Sequence, residues 1–125
     1  MEPTSGNDNS IQTNRMSIHA LVRELNDNVG ATVVQTMAGV RERTSPNDWA
    51  SQDGPEPPPN VEARLRLGYR VWRTLTLAMG PHEALAWLMG SNPRLDGQLP
   101  VLFIQHEREA EVLGAAMAFV NDTAA

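Results

Sequence analysis

The sequence has no cysteine and no lysine, and its aromatic residues are three tryptophans, two phenylalanines and one tyrosine. It also has no run of about eighteen apolar residues, the length a membrane-spanning helix needs. Without cysteine there can be no disulfide and no thiolate metal site, and a cytoplasmic location is the natural expectation. The opening stretch MEPTSGNDNSIQTNR has neither the basic nor the apolar region of a signal peptide, and no membrane partner is expected. Every base is arginine, a bias that a GC-rich genome explains as readily as chemistry.

Charge sets the next bound. Ten bases face fifteen acids, for a formal net charge of −5. Neither side of residue 60 is a basic module, so indiscriminate coating of nucleic acid is excluded and any DNA contact must be local. At 125 residues the chain fits one domain, or two small lobes sharing a core.

Apolar spacing is helical throughout, and nothing resembles a β-hairpin. Residues 1–16 are polar and aperiodic, as in a disordered tail. Ser17 caps a helix carrying Ile18, Leu21, Val22 and Leu25, with its exit between Asn26 and Gly30. A second helix bears Val33, Val34, Met37 and Val40 and ends at Gly39. Ser45-Pro46 opens a short third helix that Asp53-Gly54 closes, and PEPPP at 55–59 forms a rigid corner.

Residues 60–79 form a long strut, capped by Asn60. Val61, Leu65, Gly68, Trp72, Leu75 and Met79 lie along one stripe, widened by Leu67 and Val71. Gly80-Pro81 breaks the strut and opens HEALAWLM. The corner GSNPRLDGQ and the run PVLFIQ follow, then a last helix from about Glu107 to Asn121. Its predicted core stripe is Val112, Leu113, Ala116, Met117 and Val120. The fold class is therefore all-α, a small helical bundle. Its organisation is a tail (1–16), a helix-turn-helix region (17–59) and a long helix leading into a C-terminal helical domain (60–125).

Catalytic chemistry is sparse. His19, His82 and His106 are far apart, with no second ligand at helical spacing, and no glycine-rich phosphate loop occurs. No cofactor, metal site or enzymatic activity is expected. Gly68 inside the strut reads as a close helix contact, and Trp49, Trp72 and Trp87 as core residues.

Two surfaces remain as candidates. The helix-turn-helix over 30–53 offers Arg41 and Arg43 for phosphate and Asn47, Ser51 and Gln52 for base edges. Glu42, Asp48 and Asp53 would oppose them. On the strut, Arg66, Arg70 and Arg73 share a face that either pairs with Glu62 and acids of the last helix or meets a partner.

AGVRERTSPNDWASQDGPEPPPNVEARLRLGYRVWRTL, residues 38–75, resembles the Xre-like helix-turn-helix half of the Xre/MbcA/ParS antitoxin group. ALAWLMGSNPRLDGQLPVLFIQHEREAEVLGAAMAFV, residues 84–120, is similar to that group's small toxin-binding domain: a Trp-bearing helix, an Asn-Pro-x-Leu-x-Gly corner, a proline-led short helix and an acidic start to a final helix. PVLFIQHERE departs from the pattern in having no glycine before the last helix.

The resemblance implies an antitoxin that does no chemistry itself. Its partner would be a RES-type toxin, an enzyme that consumes NAD or transfers ADP-ribose. The resemblance, together with the abundance of apolar helix surface, implies a homodimer. Many members also repress their own operon, so operator DNA is the second implied partner. A transcriptional regulator without a toxin, dimerising through its C-terminal domain, is the alternative. On the antitoxin reading the corner fixes the angle between the Trp87 helix and the proline-led helix. It would then present Asn92, Arg94, Leu95 and Asp96 as a rigid docking face, with Asn92, Arg94 and Asp96 exposed.

Overall fold

A computed structural model describes residues 16–40 and 45–124. The described chain is all-helical: α1 (Ile18–Val29), α2 (Ala31–Ala38), α3 (Pro46–Ala50), α4 (Pro59–Met79), α5 (Pro81–Leu88), a 3₁₀ turn (Pro93–Leu95), α6 (Pro100–Gln105) and α7 (Glu109–Ala124).

Local side-chain chemistry sets most of the helix ends. The Ser17 hydroxyl accepts from the Ala20 amide at the start of α1, a cap worth about 1 kcal/mol. At α3 the Ser45 hydroxyl accepts from the Asp48 amide while the Asp48 carboxylate accepts from the Ser45 amide, a reciprocal capping box with Pro46 in the first turn. α2 ends at Gly39, whose left-handed φ of 70° lets its amide donate back to the Gln35 carbonyl. Gly80-Pro81 separates α4 from α5.

The strut starts differently from the sequence expectation. Its first residue is Pro59 and its N-cap position is Pro58, with no side-chain cap, so Asn60 lies inside the first turn. The prolines supply the reason: Pro59 already has the helical φ and lacks the amide that would need a partner at this end.

α4 packs against α1, α2, α5, α6 and α7, while α3 packs chiefly on α1. One hydrophobic cluster joins the two stretches 17–59 and 60–125, running from Ile18 through Trp49, Leu65 and Trp72 to Ala116. Trp49, Trp72 and Trp87 are all buried. At Gly68 an added Cβ would sit 2.5 Å from Met37 Sδ and 3.4 Å from Ile104 Cγ2. The missing side chain is therefore what lets α2 and α6 close on the strut.

α7 corrects the expected core stripe. The helix begins at Glu109, two residues later than expected, and buries Val112, Ala115 and Ala116, whereas Met117 is 49% exposed. Leu113 and Val120 are only partly buried. The helix is apolar around most of its circumference from Val112 to Val120, so spacing alone cannot say which side meets the strut.

Candidate functional site

The corner after α5 is a closed loop of hydrogen bonds. The Asn92 carbonyl accepts from the Leu95 amide at 2.9 Å and the Gly97 amide at 2.8 Å, and the Asn92 amide donates to the Gln98 carbonyl at 3.2 Å. The Asn92 side-chain oxygen accepts from the Arg94 amide at 2.9 Å, and the Ser91 hydroxyl donates to the Gly97 carbonyl at 2.6 Å. Asp96 and Gly97 both have left-handed φ, 58° and 78°. Aspartate and glycine tolerate that region best, which is why Asp-Gly stands where the chain reverses.

This geometry revises the expected docking face. Asn92 is only 9% exposed and Leu95 3% exposed, so both hold the corner together from inside. Arg94 and Asp96 are exposed, as is Pro93 between the helices. The physical reason is the 3₁₀ turn: Asn92 must face inward to cap it, and Leu95, at its end, points into the core.

Beside the corner lies a groove of about 480 Å³, lined by Trp87, Ser91, Asn92, Pro93, Arg94, Ala115, Phe119 and Asp122. Trp87 and Phe119 form its aromatic floor, ring centroids 6.2 Å apart and planes tilted by 38°. At the rim an Arg94 guanidinium nitrogen stands 3.4 Å from an Asp122 carboxylate oxygen, with both side chains more than half exposed. An ion pair so exposed contributes no more than about 1 kcal/mol. Sequence reasoning missed Ser91, Phe119 and Asp122. Ala115, Phe119 and Asp122 are spaced four and three apart on one helix, a signal available in the sequence but hidden within the helix's general apolarity.

The strut arginines are engaged inside the fold. Arg66 Nε lies 2.9 Å from Glu62 Oε2, and Arg70 Nη1 lies 3.2 Å from Glu109 Oε2 of α7. Arg73 approaches the Tyr69 hydroxyl. All three are half-buried. Arg64 does related work: Nη1 donates to the Ala38 carbonyl at 2.7 Å, capping α2, and Nε pairs with Glu107 at 3.1 Å. Glu107 has φ 58° at the end of α6, where glycine is the usual residue.

Tyr69, which sequence reasoning also passed over, is buried and donates to Glu24 Oε1 of α1 at 3.1 Å. Burial raises its pKa above the ordinary 10, and the Glu24 charge and hydrogen bond push it the same way. Ionisation therefore costs more in the folded protein than in the unfolded chain. The stability Tyr69 confers is complete below pH about 10 and is lost as pH rises toward the higher folded value. Tyr69→Phe should lower stability by about 1 kcal/mol at neutral pH, the worth of a hydrogen bond to a half-exposed charge. It should also flatten the decline of stability above pH about 10. Urea unfolding across that range would read both effects.

Of the residues expected from the sequence to contact DNA, Arg41 and Arg43 lie outside the described residues. Asn47, Ser51 and Gln52 are exposed, and so are Asp48, Asp53 and Glu56 around them. α3 has five residues, about 7.5 Å of helix, and its Trp49 is buried against the fold. His19 Nδ1 lies 2.7 Å from the Trp49 carbonyl oxygen. Among the described residues no group of three or more His, Cys, Asp or Glu could hold a metal ion, and no helix is long and apolar enough to cross a membrane.

The chain matches no protein-family model, no curated protein and no solved structure.

Proposed function

We propose that this chain is a protein-binding antitoxin: it holds a RES-type toxin through the corner at residues 91–97 and the groove beside it, and performs no reaction of its own. The observation that carries the reading is the groove itself. It joins an aromatic floor to a rim fixed by the hydrogen-bonded corner. A surface already rigid before binding loses little conformational freedom on association. The resemblance of residues 84–120 to the toxin-binding domain of the Xre/MbcA/ParS group supplies the kind of partner. Regulation of its own operon through residues 30–53 is the accompanying role, with a homodimer as the expected assembly.

Co-expression with a RES-type toxin encoded beside the gene tests the reading, with Ser91→Trp as the variant. Ser91 is exposed at the groove's mouth, and an indole there fills the space at the loss of one hydrogen bond, about 1 kcal/mol. The unaltered chain should restore growth, and Ser91→Trp should fail to do so while keeping the helical circular-dichroism spectrum. Growth restored equally by both would remove the groove from the reading. No rescue by the unaltered chain, together with salt-sensitive binding of the upstream DNA, would favour a regulator without a toxin.

A further inference from the structure

Besides Arg94, one charged side chain lines the groove, and two more stand exposed on the elements that form it. Asp122 stands on its rim. Asp96 is exposed on the corner, and exposed Glu83 precedes Trp87 by four residues, hence on the same side of α5. The last turn of α7, which ends beside the groove, carries no basic residue of its own. Against these stands Arg94 alone, reaching Asp122 at 3.4 Å from a corner whose backbone is fixed. The whole chain has a net charge of −5. The charges on and beside the groove therefore sum to a negative value, and in the free protein Asp122 is paired with an exposed guanidinium.

The floor asks for something different. Trp87, Phe119, Pro93 and Ala115 offer apolar and aromatic surface, and the volume of about 480 Å³ lies within the range of small-ligand sites. That is room for a side chain with part of its neighbour.

We infer that the groove takes a basic segment of a partner protein: an apolar or aromatic side chain seated on Trp87 and Phe119, with an adjacent arginine or lysine replacing Arg94 on Asp122. The inference rests on the groove being the docking site, as proposed above, and adds the chemistry of the occupant. Arg94, once released, remains solvated at little cost because its side chain is already 58% exposed. Aromatic rings beside a carboxylate suit a guanidinium in particular, which can lie against a ring face while pairing with the carboxylate.

Titration of the ¹⁵N-labelled protein with acetyl-Phe-Arg-amide and, separately, acetyl-Phe-Glu-amide provides the test. The arginine peptide should shift the Trp87 indole and the amides of residues 91–94 saturably, and bind about three-fold more tightly than the glutamate peptide, the scale of one exposed ion pair. Asp122→Asn, a change at an exposed position, should bring the two affinities together. Equal or tighter binding of the glutamate peptide overturns the charge assignment while leaving the groove as a docking site. Shifts from neither peptide, or shifts confined to another surface, overturn the inference as a whole. Failure of the docking reading itself shows separately, as toxin neutralisation that survives Ser91→Trp.

Discussion

Replacing Trp49 by alanine should remove about 3–5 kcal/mol of stability, the usual cost of deleting a buried indole. Small domains are stable by only about 5–15 kcal/mol, so this one change would take away a large share and lower the melting temperature by roughly 10–20 °C. Trp49 is fully buried, and it is the anchor of a helix with five residues. A helix that short has no stability in isolation and depends on its packing. The cavity should therefore do more than weaken the core. With the indole gone, α3 loses its hold on α1, and the hydrogen bond between His19 and the Trp49 carbonyl goes with it. Urea unfolding gives the free energy, and amide exchange at residues 47–52 shows whether α3 detaches before the rest unfolds. A loss below about 1 kcal/mol would mean that α3 contributes little to the fold.

Why some of this architecture is legible in the sequence and some is not follows from where the deciding interaction lies. Ser17, Ser45-Pro46, Gly39 and Gly80-Pro81 mark helix ends correctly because each acts on backbone within a few residues of itself. The buried face of α4 is legible because its polar residues leave one apolar stripe. α7 lacks that contrast, so its inward side is decided by the groove between the strut and the corner, and Met117 turns outward. The strut arginines could be placed on one face by their spacing, but whether that face met solvent, acids or a partner depended on Glu109, thirty-nine residues from Arg70 along the chain. The corner motif was visible as a motif, while the inward turn of Asn92 was not. An asparagine before a proline is a turn signal whether its side chain faces in or out. The groove was least legible of all, since it exists only where α5, the corner and α7 converge.

Asn92→Ala should cost about 1–3 kcal/mol, because it leaves the Arg94 amide without its acceptor in a part-buried turn. Asn92→Asp should recover most of that loss, since a carboxylate oxygen can take the same hydrogen bond and an acidic cap is favoured at such a position. The backbone bonds from Leu95 and Gly97 to the Asn92 carbonyl remain in both variants, so the change tests the side chain alone. If the rigid corner is what holds the groove's wall in place, the alanine variant should also show faster amide exchange at Gly97 and Gln98. It should bind acetyl-Phe-Arg-amide more weakly at temperatures where it is still fully folded. Stability lost without any change in exchange or binding would show that Asn92 supports the core while Arg94 and the groove's rim are positioned by the backbone turn itself. Loss of all three together, restored by aspartate, would tie the inward-facing asparagine to the shape of the groove it helps to line.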